Sequence, residues 1–308
     1  MRGSLVFAAF AVLCSCTEKV PSGAPGIERG RYLTEAVLQC FDCHSERDLH
    51  QPGWPPKAGR KGAGRVFAPG LVAPNLTPDR ATGAGTWTDD QFVRAIRQGI
   101  GHDGRTLSSA MGFAYYRNMT SSDVLSVVAY LRTLPGVYNP LPANHGASTP
   151  PPRDPGPPPD PSLSAPADLG RYLVTIAACE SCHTPSDGHG PLSGMYLAGG
   201  VVLSHEGHSA ASANLTPDAS GLSYYNDGMF IEAMRTGKLG ARLISPIMPW
   251  FCFRNTTDSD LRAMFAYLRT IPGVKHRVDN TEPPSYCPLC GSRHGLGSAN
   301  PPRSTSSR

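Results

Sequence analysis

Charge is scarce in this 308-residue chain: Asp, Glu, Lys and Arg make up 17% and the net charge is only +4. Residues 26–140 carry about +3 and residues 167–280 about −1, with no basic stripe in either part. That excludes the electrostatic footprint of a nucleic-acid binder. No apolar stretch approaches 18 residues, so no membrane-spanning helix is predicted. No long run alternates apolar and polar residues, which argues against an extended sheet. Gly (33) and Pro (31) are abundant but lack a collagen period, and point instead to long loops and a linker. With 40% apolar residues the chain can bury a core, so it is not disordered throughout.

What is present is cysteine in pattern. Nine cysteines include three C-x-x-C pairs. Two pairs are followed at once by histidine, Cys40-Phe41-Asp42-Cys43-His44 and Cys179-Glu180-Ser181-Cys182-His183. Two thiols at i and i+3 on one helical turn can reach the two vinyl-derived carbons of one haem. The histidine that follows then faces the iron. This is the attachment signature of haem c. A zinc reading would need paired knuckles within one unit, and each unit has one. Two covalently bound haems are therefore expected, on Cys40, Cys43, Cys179 and Cys182, with His44 and His183 as proximal ligands.

The motifs anchor an internal repeat. Gly30-Arg-Tyr-Leu33 recurs as Gly170-Arg-Tyr-Leu173, and Asn75-Leu-Thr-Pro-Asp79 as Asn214-Leu-Thr-Pro-Asp218. Arg97-Gln-Gly99 recurs as Arg235-Thr-Gly237, Arg117-Asn118 as Arg254-Asn255, and Tyr130 to Gly136 as Tyr267 to Gly273. A period this long means duplicated domains. The expected organisation is domain 1 over 26–139, a Pro-rich linker over 140–166, domain 2 over 167–280 and a Pro/Gly/Ser-rich tail over 281–308. Each copy reads as all-α with long loops. Helices are expected at about Ile27–Cys40, Asp89–Gln98 and behind Asp123, and in the second copy at about Asp168–Cys179, Asp227–Thr236 and behind Asp260.

The repeat also selects distal ligands. At an offset of 137, Met111 overlays Met248, whereas Met119 falls on Thr256 and Met264 on Val127. Only the first pair is methionine in both copies, so Met111 and Met248 are the expected sixth ligands. His102, His205 and His208 have no counterpart in the other copy and are read as solvent-facing or structural. Tyr32, Tyr130, Tyr172 and Tyr267 are expected to pack the first helix of each copy on its last. Asn75 and Asn214 are expected to fix the loop around the haem. Arg97 and Arg235 are read as propionate partners or solvated. Cys287 and Cys290 lack an adjacent histidine and suggest a local disulfide, with a metal site as the alternative. Cys252 reads as packing, with a redox or ligand role as the alternative.

The N-terminus has Arg2, a nine-residue apolar run from Leu5 to Leu13, then Cys14-Ser15-Cys16. This resembles a lipoprotein signal peptide (1–16) with a lipobox, and implies acylation of Cys16. The chain would then sit outside the cytoplasm, on the periplasmic side of a bacterial membrane, held to the membrane surface by lipid.

Taken with its motifs, the chain resembles a duplicated class I-type cytochrome c. The stretch Pro74 to Asp79, Thr82 to Asp90, Arg97 to Gly99 and Asp103 to Arg105 is similar to cytochrome c subunits of bacterial membrane-bound alcohol, aldehyde and gluconate dehydrogenases. Copy one has Met111-Gly112 where that family usually has Met-Pro. The resemblance implies a carrier of single electrons rather than an enzyme. A dehydrogenase or quinol-linked complex would be the donor, and an oxidase or another cytochrome the acceptor. The alternatives are a diheme peroxidase or thiosulfate-oxidising cytochrome, which would need an open iron or a thiolate such as Cys252, and a docking subunit for a catalytic partner.

Overall fold

The computed structural model describes residues 26–143 and 158–297, apart from positions 52 and 206. Cys16 and the leader, most of the linker and the end of the tail lie outside the described residues. In the first half, α1 (Ile27–Tyr32) continues as one π-helical turn (Leu33–Val37) and stops. A short helix α2 (Cys40–Cys43) follows, then a hairpin of β1 (Arg65–Ala68) and β2 (Leu71–Ala73). After these come α3 (Asp89–Gln98), the turn α4 (Phe113–Tyr116) and α5 (Ser121–Leu131).

The second half repeats this order. It has α6 (Pro166–Ile176), α7 (Cys179–His183), the hairpin β3 (Val202–His205) and β4 (His208–Ala211), and α8 (Asp227–Thr236). It adds a hairpin of β5 (Lys238–Leu239) and β6 (Arg242–Leu243), then α9 (Trp250–Phe253) and α10 (Asp258–Leu268). A last hairpin, β7 (Ser285–Tyr286) and β8 (Arg293–His294), has no counterpart among the described residues of the first half. The fold is thus helix-rich but not purely α. Strands of two to four residues are too short to show alternation, so the sequence pattern misses them.

Local chemistry accounts for the helix ends. Thr88 accepts from the Gln91 amide, and the Gln91 side chain accepts from Thr88 N–H, a reciprocal cap. Asn226 caps α8 at the Met229 amide. Thr120 and Thr257, not the aspartates, cap the last helices, while Asp123 and Asp260 sit in the first turn. Pro166, expected to end the linker, starts α6, where its missing N–H costs nothing. The first helix of each copy is shorter than expected, because Gln39 and Ala178 adopt left-handed backbone just before the C-x-x-C-H turn.

In each half the first helix crosses the last at a glycine. A Cβ on Gly30 would lie 1.8 Å from the Ser126 carbonyl oxygen, and one on Gly170 1.9 Å from that of Ala263. This close approach explains the repeated Gly-Arg-Tyr-Leu. Leu33, Val37, Val124, Val127 and Val128 bury one crossing; Leu173, Ile176, Leu261 and Phe265 bury the other. The apolar residues of both halves join in one continuous cluster.

The halves meet through a reciprocal pair of bonds. The Tyr32 phenol donates to Asp260 Oδ2 at 2.6 Å, and the Tyr172 phenol donates to Asp123 Oδ2 at 2.6 Å. Each phenol oxygen also accepts a backbone N–H at the other half's last helix, from Thr257 and Thr120. Tyr32 and Tyr172 therefore join the two copies rather than packing within one, as the sequence reading expected. Residues on repeated positions that bond across a pseudo-two-fold cannot be told from intradomain packing by spacing alone. Tyr130 does stay within its own copy, donating to Glu35.

Candidate functional site

The C-x-x-C-H turns sit on α2 and α7, and the local geometry is duplicated. His44 is buried, and its Nδ1–H donates to the Pro74 carbonyl at 2.9 Å. His183 is buried, and its Nδ1–H donates to the Ala213 carbonyl at 2.7 Å. Burial lowers the pKa of both rings, outweighing the opposing effect of the carbonyl bond. Each imidazole is therefore held neutral with its Nε2 lone pair available, as a metal-bound histidine requires.

The carbonyls that do this belong to the residues just before the two Asn-Leu-Thr-Pro-Asp segments. Asn75 Oδ1 accepts from the Thr77 amide (3.0 Å) and hydroxyl (2.7 Å), while its Nδ2 donates to the Val137 carbonyl at 2.7 Å. Asn214 repeats this with Thr216 (2.9 and 2.8 Å) and Val274 (2.8 Å). The asparagines fix the loop, as expected. They fix it to the strand-like segment after the last helix, and so aim the Pro74 and Ala213 carbonyls at the histidines.

In the first half Cys40, Cys43 and His44 open onto a cavity with Met111 in its wall. Its lining is mostly apolar, including Leu38, Val72, Leu76, Phe92, Ile96 and Leu131. The polar side is formed by His102, whose ring stacks on Trp87 at 4.5 Å, and by Arg105. Cysteines, histidine and methionine around an apolar slot with a charged rim fit haem c. His102 is exposed yet part of this wall, a place its lack of a repeat partner does not reveal.

Met111 ends a one-turn 3-10 helix, and its amide donates to the Ser108 carbonyl at 3.0 Å. The Met248 amide donates to the Ser245 carbonyl at 3.0 Å in the matching turn before α9. Both methionines are partly buried, whereas Met119 and Met264 are core residues at 0% and 3% exposure. Cys40 and Cys179 flank the two sites as free thiols that desolvation pushes up to about 12.

Arg97 and Arg235 do something the sequence reading did not foresee. Arg97 is buried and donates through Nη2 to the Arg117 carbonyl at 3.2 Å. Arg235 donates to the Arg254 carbonyl, and through Nη2 to Asp258 at 2.6 Å. The two repeated arginine pairs are one device: the arginine of the middle helix ties down the end of the turn after each methionine. Arg97 is buried, whereas the Arg235 side chain keeps 32% exposure.

Those turns reach the other half's motif. The Cys252 thiol of α9 donates to Asp42 Oδ1 at 3.2 Å, inside the first C-x-x-C-H, and Asp42 pairs with Arg47 at 2.7 Å. Burial and the Asp42 charge hold the Cys252 thiol protonated, well above the ordinary range. On the opposite side Tyr115 of α4 lies near Glu180 and Cys182 of the second motif, which add to the effect of burial in raising its phenol. Cys252 thus contacts the first motif.

Cys287 and Cys290 are buried and are not joined in the expected disulfide. They stand beside His294, four residues beyond the motif, and His276, which the sequence reading passed over, a grouping that fits the metal-site alternative. The available signal was that two histidines flank the third C-x-x-C.

Among the described residues no helix is long and apolar enough to cross a membrane. No family model matches the chain. Over 300 residues, 88% of its length, the chain is 31% identical to the fructose dehydrogenase cytochrome subunit of Gluconobacter japonicus, of which it spans 58%. It is 27% identical over 275 residues to the alcohol dehydrogenase (quinone) cytochrome c subunit of Gluconobacter oxydans, spanning 55% of it. It is 26% identical over 266 residues to a diheme cytochrome c-type protein of Cereibacter sphaeroides, spanning 83% of it. The chain therefore spans little more than half of these two dehydrogenase subunits.

Proposed function

We propose, for a chain whose homologues are cytochrome c subunits of dehydrogenases and a diheme cytochrome c, that it is an electron-transfer subunit with two tandem cytochrome c-like domains and two haems c. Cys40 and Cys43 would hold one haem covalently, with His44 and Met111 on its iron. Cys179 and Cys182 would hold the other, with His183 and Met248. Bound haem supplies one-electron cycling between Fe(II) and Fe(III), and a thioether ligand favours the reduced state. The chain's own part is to fix the imidazole tautomers, keep water from the apolar slot and present the two motifs to each other across the Tyr–Asp interface.

The observation that carries this reading is the duplicated histidine geometry. Two buried imidazoles with Nδ1 committed to a carbonyl each keep Nε2 as the atom that could take a metal. The position of Cys252 against Asp42 speaks against a thiolate-ligated catalytic iron. As partners we propose a dehydrogenase or quinol-linked donor and an oxidase or second cytochrome as acceptor. Cys16 would carry the lipid that keeps the chain on the periplasmic membrane surface, and nucleic acid has no role.

Optical and magnetic spectra of the purified protein test the proposal. Two low-spin haems per chain are expected, each with the thioether-to-iron charge-transfer band. Met111→Ala and Met248→Ala should each remove half of that band. A high-spin fraction in the unmodified protein, or thiolate signatures, would overturn the carrier reading in favour of a haem enzyme.

A further inference from the structure

We infer that His276, Cys287, Cys290 and His294 form a structural zinc site, separate from both C-x-x-C-H motifs. The four side chains are buried, at 0%, 0%, 4% and 2% exposure, and their ligand atoms all lie within 4.8 Å of one another. The Nε2 atoms of the two histidines are 3.1 Å apart, Cys287 Sγ is 3.4 Å from His276 Nε2, and Cys290 Sγ is 3.2 Å from His294 Nε2. Tetrahedral zinc with sulfur at about 2.3 Å and nitrogen at about 2.0–2.1 Å puts its ligands roughly 3.3–3.8 Å apart. The cluster is close to that size.

The hydrogen bonds around the cluster orient its ligand atoms inward. His276 Nδ1–H donates to the Ala198 carbonyl at 2.9 Å, and His294 Nδ1 lies 3.1 Å from the Gly295 carbonyl. With both Nδ1 atoms committed as donors, the neutral rings turn Nε2 lone pairs toward each other. Each lone pair also faces a thiol sulfur, Cys287 for His276 and Cys290 for His294, so one cation at the centre would meet all four atoms at once. Two thiolates and two neutral imidazoles also cancel the charge of a divalent ion, which a buried site requires.

The comparison with the first half isolates what the histidine adds. Asn139 occupies the place of His276: its backbone N–H donates to Thr82 Oγ1, as that of His276 donates to Ser220 Oγ. The Asn139 side chain donates to the Ala63 carbonyl at 2.7 Å, as His276 Nδ1 does to Ala198. An amide is enough for that bond, and the imidazole brings a second nitrogen. Space is cleared for it as well. A Cβ on Gly200 would lie 2.5 Å from His276 Cε1 and 3.0 Å from His294 Nε2, whereas the first half has Arg65 at the matching position.

The remaining ligands come from a turn shaped to converge them. The Gly291 N–H donates to the Cys287 carbonyl at 2.9 Å, and Gly291 takes φ of +76°. The turn closes β7–β8, whose two-residue strands would not hold together unaided. A small apolar cluster of Met195, Ala198 and these cysteines, with Leu192, Val274 and Leu289 against it, packs the hairpin on the second half. Binding would proceed as Zn²⁺ replacing the two thiol protons, which leave to solvent, with no change of oxidation state. A closed set of two sulfurs and two nitrogens on a short tail is the pattern of structural zinc.

Metal analysis of the full-length protein as it matures in its host tests this, with haem iron counted separately. One zinc per chain is expected. Its X-ray absorption edge should report two sulfurs at about 2.3 Å and two nitrogens at about 2.0–2.1 Å. Cys287→Ser with Cys290→Ser should abolish zinc while haem content holds. Should that variant fail to fold, the absorption spectrum of the unaltered protein still decides. Absence of zinc, with no uptake when Zn²⁺ is offered to the thiol-reduced chain, would overturn the site. So would a Cys287–Cys290 disulfide in peptide mapping of the native protein, zinc retained by the double variant, or copper or iron found on these four ligands.

Discussion

Asn139 closes the first half of the molecule on Ala63; His276 closes the second on Ala198 and then reaches a hairpin that has no counterpart among the described residues of the first half. A second contrast lies at the interface. Asp123 receives the Tyr172 phenol and also a bidentate pair from the buried Arg29, at 2.9 and 2.8 Å. Asp260 receives the Tyr32 phenol, and its own half has Leu169 where the first has Arg29. By contrast the His–carbonyl–Asn–Thr device around each C-x-x-C-H is the same within about 0.2 Å. Duplication has kept what would hold the iron ligands and let the supports diverge.

The interface contrast predicts the largest difference between matched variants. Asp123→Ala strands the Arg29 guanidinium in a buried place and should cost about 3–5 kcal/mol. Asp260→Ala loses a hydrogen bond to a charged acceptor and should cost about 1.5–3 kcal/mol. Urea unfolding of the two variants side by side checks this, and equal losses would show that Arg29 contributes nothing beyond the phenol bond.

At the helix crossings the halves should behave alike. Alanine at Gly30 or Gly170 drives a methyl into a carbonyl oxygen, and neither backbone can yield without parting the helices. A loss of about 3 kcal/mol is expected at each site. A marked inequality in thermal unfolding would mean that one crossing tolerates separation. The asparagines come next. Asn75→Ala and Asn214→Ala each leave a buried threonine amide unpaired, for about 2 kcal/mol. They should also loosen the adjacent histidine, seen as a shift of one haem's redox midpoint with the other unmoved. A shift of both midpoints would show that the loops are coupled through the interface.

Much of this was legible in the residues. The helices Asp89–Gln98 and Asp227–Thr236 match their expected bounds, because caps, periodicity and terminal glycines agree there. The C-x-x-C-H turns announce themselves, and the repeat marks Asn75 and Asn214 as important. What the repeat could not say is which partner each residue meets. Tyr32 and Tyr172 look like intradomain packing until the two copies are set against each other. His276 aligns with an asparagine, and its ring becomes informative only when the tail hairpin folds back over Gly200. Contacts made across a duplication, or by one copy alone, leave no periodic trace.

The Tyr–Asp bonds themselves give the smallest predicted effect. Tyr32→Phe or Tyr172→Phe should each cost about 1.5 kcal/mol at neutral pH. Their pH dependence separates them from simple packing. Burial first, and then the facing aspartate, raises both phenols above the ordinary value of about 10. A phenol raised in the folded state stabilises fully below its unfolded pKa, and that contribution fades as pH climbs toward the folded value. Stability of the unaltered chain should therefore decline above about pH 10. In the Tyr32→Phe, Tyr172→Phe double variant the decline should be shallower but still present, since burial also raises Tyr116 and Tyr130. An alkaline slope identical in the double variant and the parent would show that the two phenols are not the donors joining the halves.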